Sequence, residues 1–343
     1  MAYQSQVPNI EHKVVPQRMA NTGIGVLAQE LTTPLLFARE SIDQFKGREG
    51  NKMTFSYPGV LPWREYALRN DRTDPIIFDS IVEATAEVTV GDRIYSAVRI
   101  TDEQVDFDEV SPQYLAPIQG KAVANGINHK ASNFVTAADY PLTIGNAEAN
   151  LYQALLEARR VLNSFHAPQQ GRTLLVGTDF ETALLMDTRI TLAQNAGDAV
   201  ADTALKEATL GRIAGFNIVL DAGIAPDTAI AFAENAFTLF TGAPYIPSSV
   251  PAGATASYDG FSLRWIRDYE MTRVIDRSLM DTYLGFAAAQ DFLEKYDETD
   301  RLVKRTAEPH FVRAIGLELT GTNTVNDQEL LDFAGVTLNT IGA

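Results

Sequence analysis

Ala147-Glu-Ala-Asn-Leu-Tyr-Gln-Ala-Leu-Leu-Glu-Ala-Arg-Arg-Val-Leu-Asn163 leads, through a short linker holding Pro168 and Gly171, into Thr173-Leu-Leu-Val-Gly-Thr-Asp-Phe180. Leu151, Leu155, Ala158 and Leu162 stand at i, i+4, i+7 and i+11, the spacing that lines one face of an α-helix. Asn146 is placed to cap that helix, and Glu148 falls in the first turn, where the helix dipole favours an anion. Thr173–Val176 is a short apolar run, which predicts a buried strand. Asp179 is placed to cap a second helix through Phe180, Leu184 and Leu185. Helix, buried strand and helix in succession predict a mixed α and β core.

Downstream, residues 187–210 are alanine-rich and acidic. Ile213–Leu220 reads as one strand and Ala229–Phe232 as another. In Ala233–Phe240 the period selects neither helix nor strand. Pro244, Pro247 and Pro251 punctuate the next stretch. Phe261–Ile275 alternates, through Leu263, Trp265 and Ile266 and then Tyr269, Met271 and Val274, and runs on to Met280–Phe286. Residues 290–343 are more charged and less regular, with one further strand predicted over His310–Leu319.

Upstream, residues 112–135 read as a long helix. Leu115, Ile118, Ala122 and Phe134 share its predicted apolar stripe, with Ile127 and Ala131 beside it. Ser111 is the expected cap and Pro112 suits the first turn. The only charged residues in this helix are Lys121 and Lys130, so it is expected to be packed on more than one side. Residues 50–104 read as a β-rich ribbon: Met53–Tyr57 meets the turn Pro58-Gly59, Leu68–Pro75 is a charged tip, and Ile81–Val90 and Ile94–Ile100 return. The ribbon has few candidates for a core of its own and is expected to be covered by another surface. Residues 24–46 are a helical candidate broken at Pro34. Residues 1–23 read as an extended arm, disordered or ordered by a partner.

The chain has 343 residues, 44 acidic and 28 basic, for a formal net charge of −16. That opposes a nucleic-acid-gripping role, which needs a basic surface. The chain has no cysteine, which excludes disulfides, thiolate metal sites and cysteine nucleophiles. The four histidines include no i, i+4 pair. The N-terminus lacks a signal-peptide pattern and no apolar run is long enough to span a membrane, so a soluble protein made in a cytoplasm, with no membrane partner, is expected.

The catalytic inventory is correspondingly thin. Gly23-Ile-Gly25 lacks the third glycine and preceding strand of a dinucleotide fold. Val176-Gly-Thr-Asp179 joins a strand to a helix and is the one candidate phosphate-binding turn. No G-x-S-x-G elbow is present. The carboxylate clusters at Asp102-Glu103, Asp106–Glu109 and Asp297–Asp300 read as solvated faces in so acidic a chain. No catalytic, cofactor or metal residue is assigned and no cofactor is expected. The unmatched surfaces (arm, ribbon and charge-poor helix) make physical sense if neighbouring subunits bury them.

In order, these stretches resemble the major capsid protein of tailed bacteriophages, the HK97-like fold. Leu35–Lys52 with Met53–Gly59 looks like the family's arm and E-loop, and Tyr66–Pro75 like the loop tip. Thr101–Val105 and the 112–135 helix look like the spine. Leu151–Leu185 resembles the axial core, and Gly211–Val219, Ala236-Phe237 and Pro244 its later strands. Gly260–Gly285, with Arg264, Asp268, Asp276 and Asp281, looks like the return through the peripheral domain. The resemblance covers roughly residues 24–290.

It implies an α+β fold with an N-terminal arm (1–48), an E-loop ribbon (49–104), the spine helix with part of the peripheral domain (105–139), an axial domain (140–257), peripheral return strands (258–290) and a C-terminal extension (291–343). It also implies a non-enzymatic shell subunit forming hexamers and pentamers around double-stranded DNA, located in the virion and assembled in the bacterial host cytoplasm. Expected partners are other copies of itself, a portal protein, a separate scaffolding protein and a decoration protein. An encapsulin-type compartment enclosing a cargo enzyme is the alternative, and an α/β enzyme acting at Thr173–Asp179 a third. Arg64, Glu65, Arg69, Asp71, Arg72 and Asp74 are the candidate intersubunit residues on the ribbon tip. Between Lys46 and Lys121 only Lys52 is present, at the ribbon's base, so a noncovalent shell is expected.

Overall fold

The computed structural model describes residues 16–41, 52–57, 61, 63–66, 68, 75–78, 80–81, 84–106, 112–187, 211–298, 302–339 and 341. In chain order, α1 (Pro16–Glu30) precedes β1 (Ala38–Ser41), β2 (Lys52–Tyr57), β3 (Ala84–Thr89) and β4 (Asp92–Thr101). Then come α2 (Asp102–Asp106), α3 (Pro112–Thr136), β5 (Leu142–Ile144), α4 (Leu151–Ser164), β6 (Thr173–Val176) and α5 (Thr178–Met186). The strands β7 (Arg212–Ile213), β8 (Phe216–Leu220), β9 (Thr228–Phe232), β10 (Phe237–Gly242), β11 (Ala252–Tyr258), β12 (Phe261–Glu270) and β13 (Ile275–Ala288) follow. The chain ends with β14 (Glu294–Asp297), β15 (Leu302–Arg305), β16 (Ala314–Glu318), β17 (Thr324–Val325) and α6 (Gln328–Ala334).

Among the described residues a seven-stranded mixed sheet has the order β17-β5-β16-β9-β6-β8-β7. Both of its faces are covered, which is why β6 is buried at every position. Leu174 and Val176, with Ala229 and Ala231 of β9, pack toward α4, α5 and α6. Leu175, Ile230 and Phe232 point the other way, into a core shared with α1, α3 and the second sheet. On α4 the expected stripe Leu151, Leu155, Ala158 and Leu162 is buried. Its cap is Asn150, whose side chain accepts from Gln153 N at 3.2 Å. The expected cap, Asn146, sits in left-handed backbone at φ 55° before a 3-10 turn.

In the second sheet the long β13 has β4 on one edge, and on the other β12 followed by β10. Helices α1 and α3 cover one face through Leu27, Val123, Ile127, Trp265 and Met280. Gln119 of α3 donates to the carbonyls of Ser96 and Ser278 and accepts from Ser278 Oγ, which itself accepts from Trp265 Nε1. This chain of bonds fixes α3 over the sheet. The two helices cross where Gly120 meets Gly23; a Cβ on Gly120 would lie 2.7 Å from the Gly23 carbonyl oxygen.

Several expectations are corrected. Residues 16–23 are not an extended arm but the first turns of α1, with Met19, Ala20 and Gly23 buried. The break near Pro34 is real, and a 3-10 turn follows at Thr33–Leu36. The stripe on α3 is displaced: Ala116, Gln119, Val123, Ala124, Ile127 and Ala131 are buried, whereas Ile118 is half exposed and Ala122 exposed. Counting from Leu115 ignored small residues, and close helix crossing selects small residues. Ile213–Leu220 is a hairpin, turned by Ala214 and Gly215 at φ 50° and 93°. Strand β4, read as part of the ribbon, instead pairs with β13 over ten residues. Strand β16, read as part of a C-terminal extension, lies inside the seven-stranded sheet between β5 and β9. The proposed Ser111 cap lies outside the described residues.

Candidate intersubunit surface

Strands β2 and β3 pair antiparallel from Lys52↔Thr89 to Tyr57↔Ala84 and form the stem of the ribbon. Val88 anchors that stem by packing on Phe240 and Ala287. Gly285 leaves the room; a Cβ there would press on the Val88 methyl at 3.3 Å. Beyond the stem, Arg64 and Glu65 are exposed. Arg69, Asp71, Arg72 and Asp74 lie outside the described residues, so the six charged candidates are not brought together into one described cluster.

The same segment displays an apolar row that the charge-centred reading missed. Leu68, Ile76, Ile77, Phe78 and Ile81 are 61–94% exposed. The signal was in the sequence: Pro75-Ile-Ile-Phe78 is apolar in a stretch read for its charges. Trp63 stacks on Tyr296 of β14, ring centroids 4.6 Å apart and planes within 4°. Val303 of β15 donates its N–H to the Trp63 carbonyl at 3.3 Å. One side of the ribbon thus rests on its own chain, while the apolar row faces outward.

The sheet under the ribbon is held by buried ion pairs. Asp281 is fully buried and accepts from Arg264 at 2.9 and 2.7 Å and from Arg93 Nε at 2.7 Å. Two guanidiniums thus take the place of its water shell. Asp276 accepts from Arg267. Near the β12–β13 turn, Tyr269 donates to Asp102 at 2.9 Å, and this bond, with a smaller contribution from burial, raises the phenol's pKa. A second node joins the N-terminal region to the seven-stranded sheet. Thr33 and Ser132 hydroxyls each donate to Asp221 at 2.6 Å, and Gly223 N–H donates to its other oxygen at 2.8 Å.

At the candidate phosphate turn three backbone donors are already engaged, Gly177 N–H on the Thr228 carbonyl at 2.9 Å and two more on Pro226. Asp179 is not the cap of α5; Gly177 is. The N–H groups of Asp179 and Phe180 both donate to the Pro226 carbonyl at 3.0 Å. A Cβ on Gly177 would lie 2.3 Å from the Ala225 oxygen, so the glycine serves close backbone packing rather than an anion. Among the described residues no group of three or more His, Asp or Glu is arranged to hold a metal ion, and no helix is long and apolar enough to cross a membrane.

Residues 84–296, more than half of the chain, match the model of a family described as phage capsid protein. The chain belongs to the phage capsid protein family. Its fold is similar to that of solved shell proteins. The Mycobacterium phage Che8 structure matches with a TM-score of 0.56 at 14% identity, covering 85% of this chain and 92% of that one. The capsid of cyanophage P-SCSP1u matches with a TM-score of 0.56 at 14% identity, covering 84% and 87%. The virus-like particle from Pyrococcus furiosus matches with a TM-score of 0.50 at 9% identity, covering 88% and 98%. Comparison with curated proteins finds no match. The α+β, HK97-like fold expected from the order of elements is therefore the fold of this capsid protein, and its place is the capsid of a virion.

Proposed function

We propose that this capsid protein assembles into hexamers and pentamers of an icosahedral shell that encloses double-stranded phage DNA. The observation that carries the reading is the pairing of a phage-capsid family match with a ribbon whose apolar residues Leu68, Ile76, Ile77, Phe78 and Ile81 are mostly exposed among the described residues. Exposed apolar surface of that extent marks an interaction site. The portal, a separate scaffolding protein and a decoration protein are its proposed partners, and assembly takes place in the bacterial host cytoplasm. The formal charge of −16 suits a wall that surrounds DNA without holding it, since tight phosphate contacts would resist packing and release. The shell is proposed to be noncovalent, because Lys52 is the only lysine between Lys46 and Lys121 and belongs to the stem of the ribbon rather than its tip.

An encapsulin-type compartment would use the same architecture, and fold likeness at 9% identity to a virus-like particle does not separate the two. The match to a phage capsid family supports the virus. Mass photometry of the purified protein tests the assembly. Species at five and six times the subunit mass are expected in at least the protein co-expressed with its neighbouring genes, and a monomer in every preparation, concentration and salt level would contradict the proposal.

A further inference from the structure

The β7–β8 turn gathers arginines without acids. In a chain of 44 acidic and 28 basic residues a guanidinium should readily find a carboxylate. Elsewhere it does: Arg93 and Arg264 share Asp281, and Arg313 has Asp291. Arg160 of α4 takes Glu157, which Asn339 also bonds. Its neighbour Arg159, with Arg172 just before β6 and Arg212 of β7, makes no ion pair among the described residues.

The backbone brings the three to one place. Arg159 Nη1 donates to Ala214 O at 3.3 Å and Arg212 Nε to Gly215 O at 3.2 Å, so two exposed guanidiniums sit on consecutive carbonyls of one turn. Gly215, at φ 93°, makes the room: a Cβ there would lie 3.4 Å from Arg159 Nη1 and 3.5 Å from its Cζ. Asn217, opposite Arg212 in the hairpin, donates its N–H to Arg172 O at 3.0 Å. Arg172 thus stands two strand spacings from Arg212, about 10 Å along the sheet.

Arg172 is only 3% exposed. Its Nε and Nη2 donate to the carbonyls of Pro168 and Ala167 at 2.7 and 2.8 Å. Its Nη1 has neither a partner nor a full seal from solvent, so that edge opens to the surface. Burial first, and the positive charge of Arg159 second, hold this guanidinium below the ordinary arginine pKa. Glu234 comes close at Gly171, where a Cβ would lie 2.7 Å from its Oε2, yet it makes no ion pair with Arg172.

A guanidinium carries five N–H donors in a planar fork. Arg159 and Arg212 each use one on the turn and Arg172 uses two on its loop, and the rest have no acceptor among the described residues. Like charges held near one another repel, so an outside anion is the natural complement. Three forks exceed what the two oxygens of one carboxylate can pair, whereas a phosphate presents more oxygens, and guanidinium is the side chain that matches it.

We infer that Arg159, Arg172 and Arg212 form an anion site at the β7–β8 turn that takes a phosphate group. The source is free inorganic phosphate or a phosphodiester of the DNA backbone, which share this chemistry. Only the second source rests on the shell reading. One phosphate per subunit is a point of contact, and it leaves the rest of the acidic wall as described.

The full-length Arg159→Gln/Arg212→Gln variant tests the site; Arg172 stays, because it holds two carbonyls. Melting is followed in phosphate, acetate and chloride at equal ionic strength, and anisotropy follows a short labelled DNA duplex at low salt. The parent is expected to melt higher in phosphate than in chloride, and the variant to lose part of that rise while matching the parent in chloride. General salting effects act on both proteins alike and cancel in the comparison. Arg159→Lys/Arg212→Lys is expected to fall between the two, since it keeps the charge and loses the fork. A duplex affinity lower by roughly tenfold in the glutamine variant assigns the DNA backbone as the source. A phosphate response that depends on the arginines, with no such effect on the duplex, assigns free phosphate. No response to either probe, the same response in the glutamine variant, or an acetate rise equal to that in phosphate would overturn the inference. The shell reading is judged apart from it, by whether the unsubstituted protein forms rings and shells.

Discussion

Replacing Gly120 by alanine should destabilise the capsid subunit, although alanine is the better helix former. In an unencumbered helix interior the change would stabilise by about 1 kcal/mol. Here the new Cβ would lie 2.7 Å from Gly23 O, 3.1 Å from Gly23 Cα and 3.3 Å from Gly23 C. All three are backbone atoms of α1, so no side chain can swing aside and the two helices must part. Overpacking of that kind costs up to about 3 kcal/mol. The net expectation is a loss of about 2 kcal/mol, or roughly 4–8 °C in Tm for a domain of 150–250 residues. Gly25→Ala is the internal control. It lies in α1, is exposed, and a Cβ there meets nothing within 4 Å, so it should gain about 0.5–1 kcal/mol. Thermal and urea unfolding of the unassembled protein read both variants. A Gly120→Ala protein as stable as the parent would refute the helix crossing that seats α1 on α3.

Three further outcomes are expected. Asp281→Asn leaves Arg264 buried and uncompensated and should cost about 3–5 kcal/mol, seen as a lowered urea midpoint; a shift under 1 kcal/mol would mean water reaches the pair. For Glu157, burial alone would raise the carboxyl, but hydrogen bonds from Arg160 and Asn339 bring it below the ordinary 4.5. Its contribution is therefore complete above that value and lost as pH falls through the lower folded one, so Glu157→Gln should flatten the acid limb of stability below about pH 4.5 and a parallel limb would contradict the linkage. Shells boiled in detergent should return one monomer-sized band, because the ribbon tip holds arginines, which cannot form isopeptides; a ladder would disprove the noncovalent wall.

The legible parts of this fold are those where local pattern and burial agree. Leu151, Leu155, Ala158 and Leu162 mark α4, and Thr173–Val176 marks a strand covered on both faces. The illegible parts depend on partners distant in sequence. The Asn146 cap failed because a 3-10 turn precedes α4 and passes the role to Asn150. The α5 cap failed because its donors are met by Pro226, some 47 residues away in sequence. The stripe on α3 slipped because Gly120 meets Gly23 of α1 and its buried neighbours Ala116 and Ala124 are small, and small residues do not register as apolar spacing. Strand β16 is four core residues in a charged tail, and only its pairing with β9 and β5 shows where it belongs. On the candidate surface, charge drew the eye to Arg64 and Glu65 and away from Ile76–Phe78. An apolar residue on a loop is informative only once its exposure is known.

Building a closed shell is the role proposed for this chain. Electron microscopy of the protein expressed alone and with its neighbouring genes, with light scattering alongside, tests it most directly. Icosahedral shells, or hexamer- and pentamer-sized rings, are expected in at least the co-expressed sample. A uniform compact monomer or dimer under every condition would contradict it.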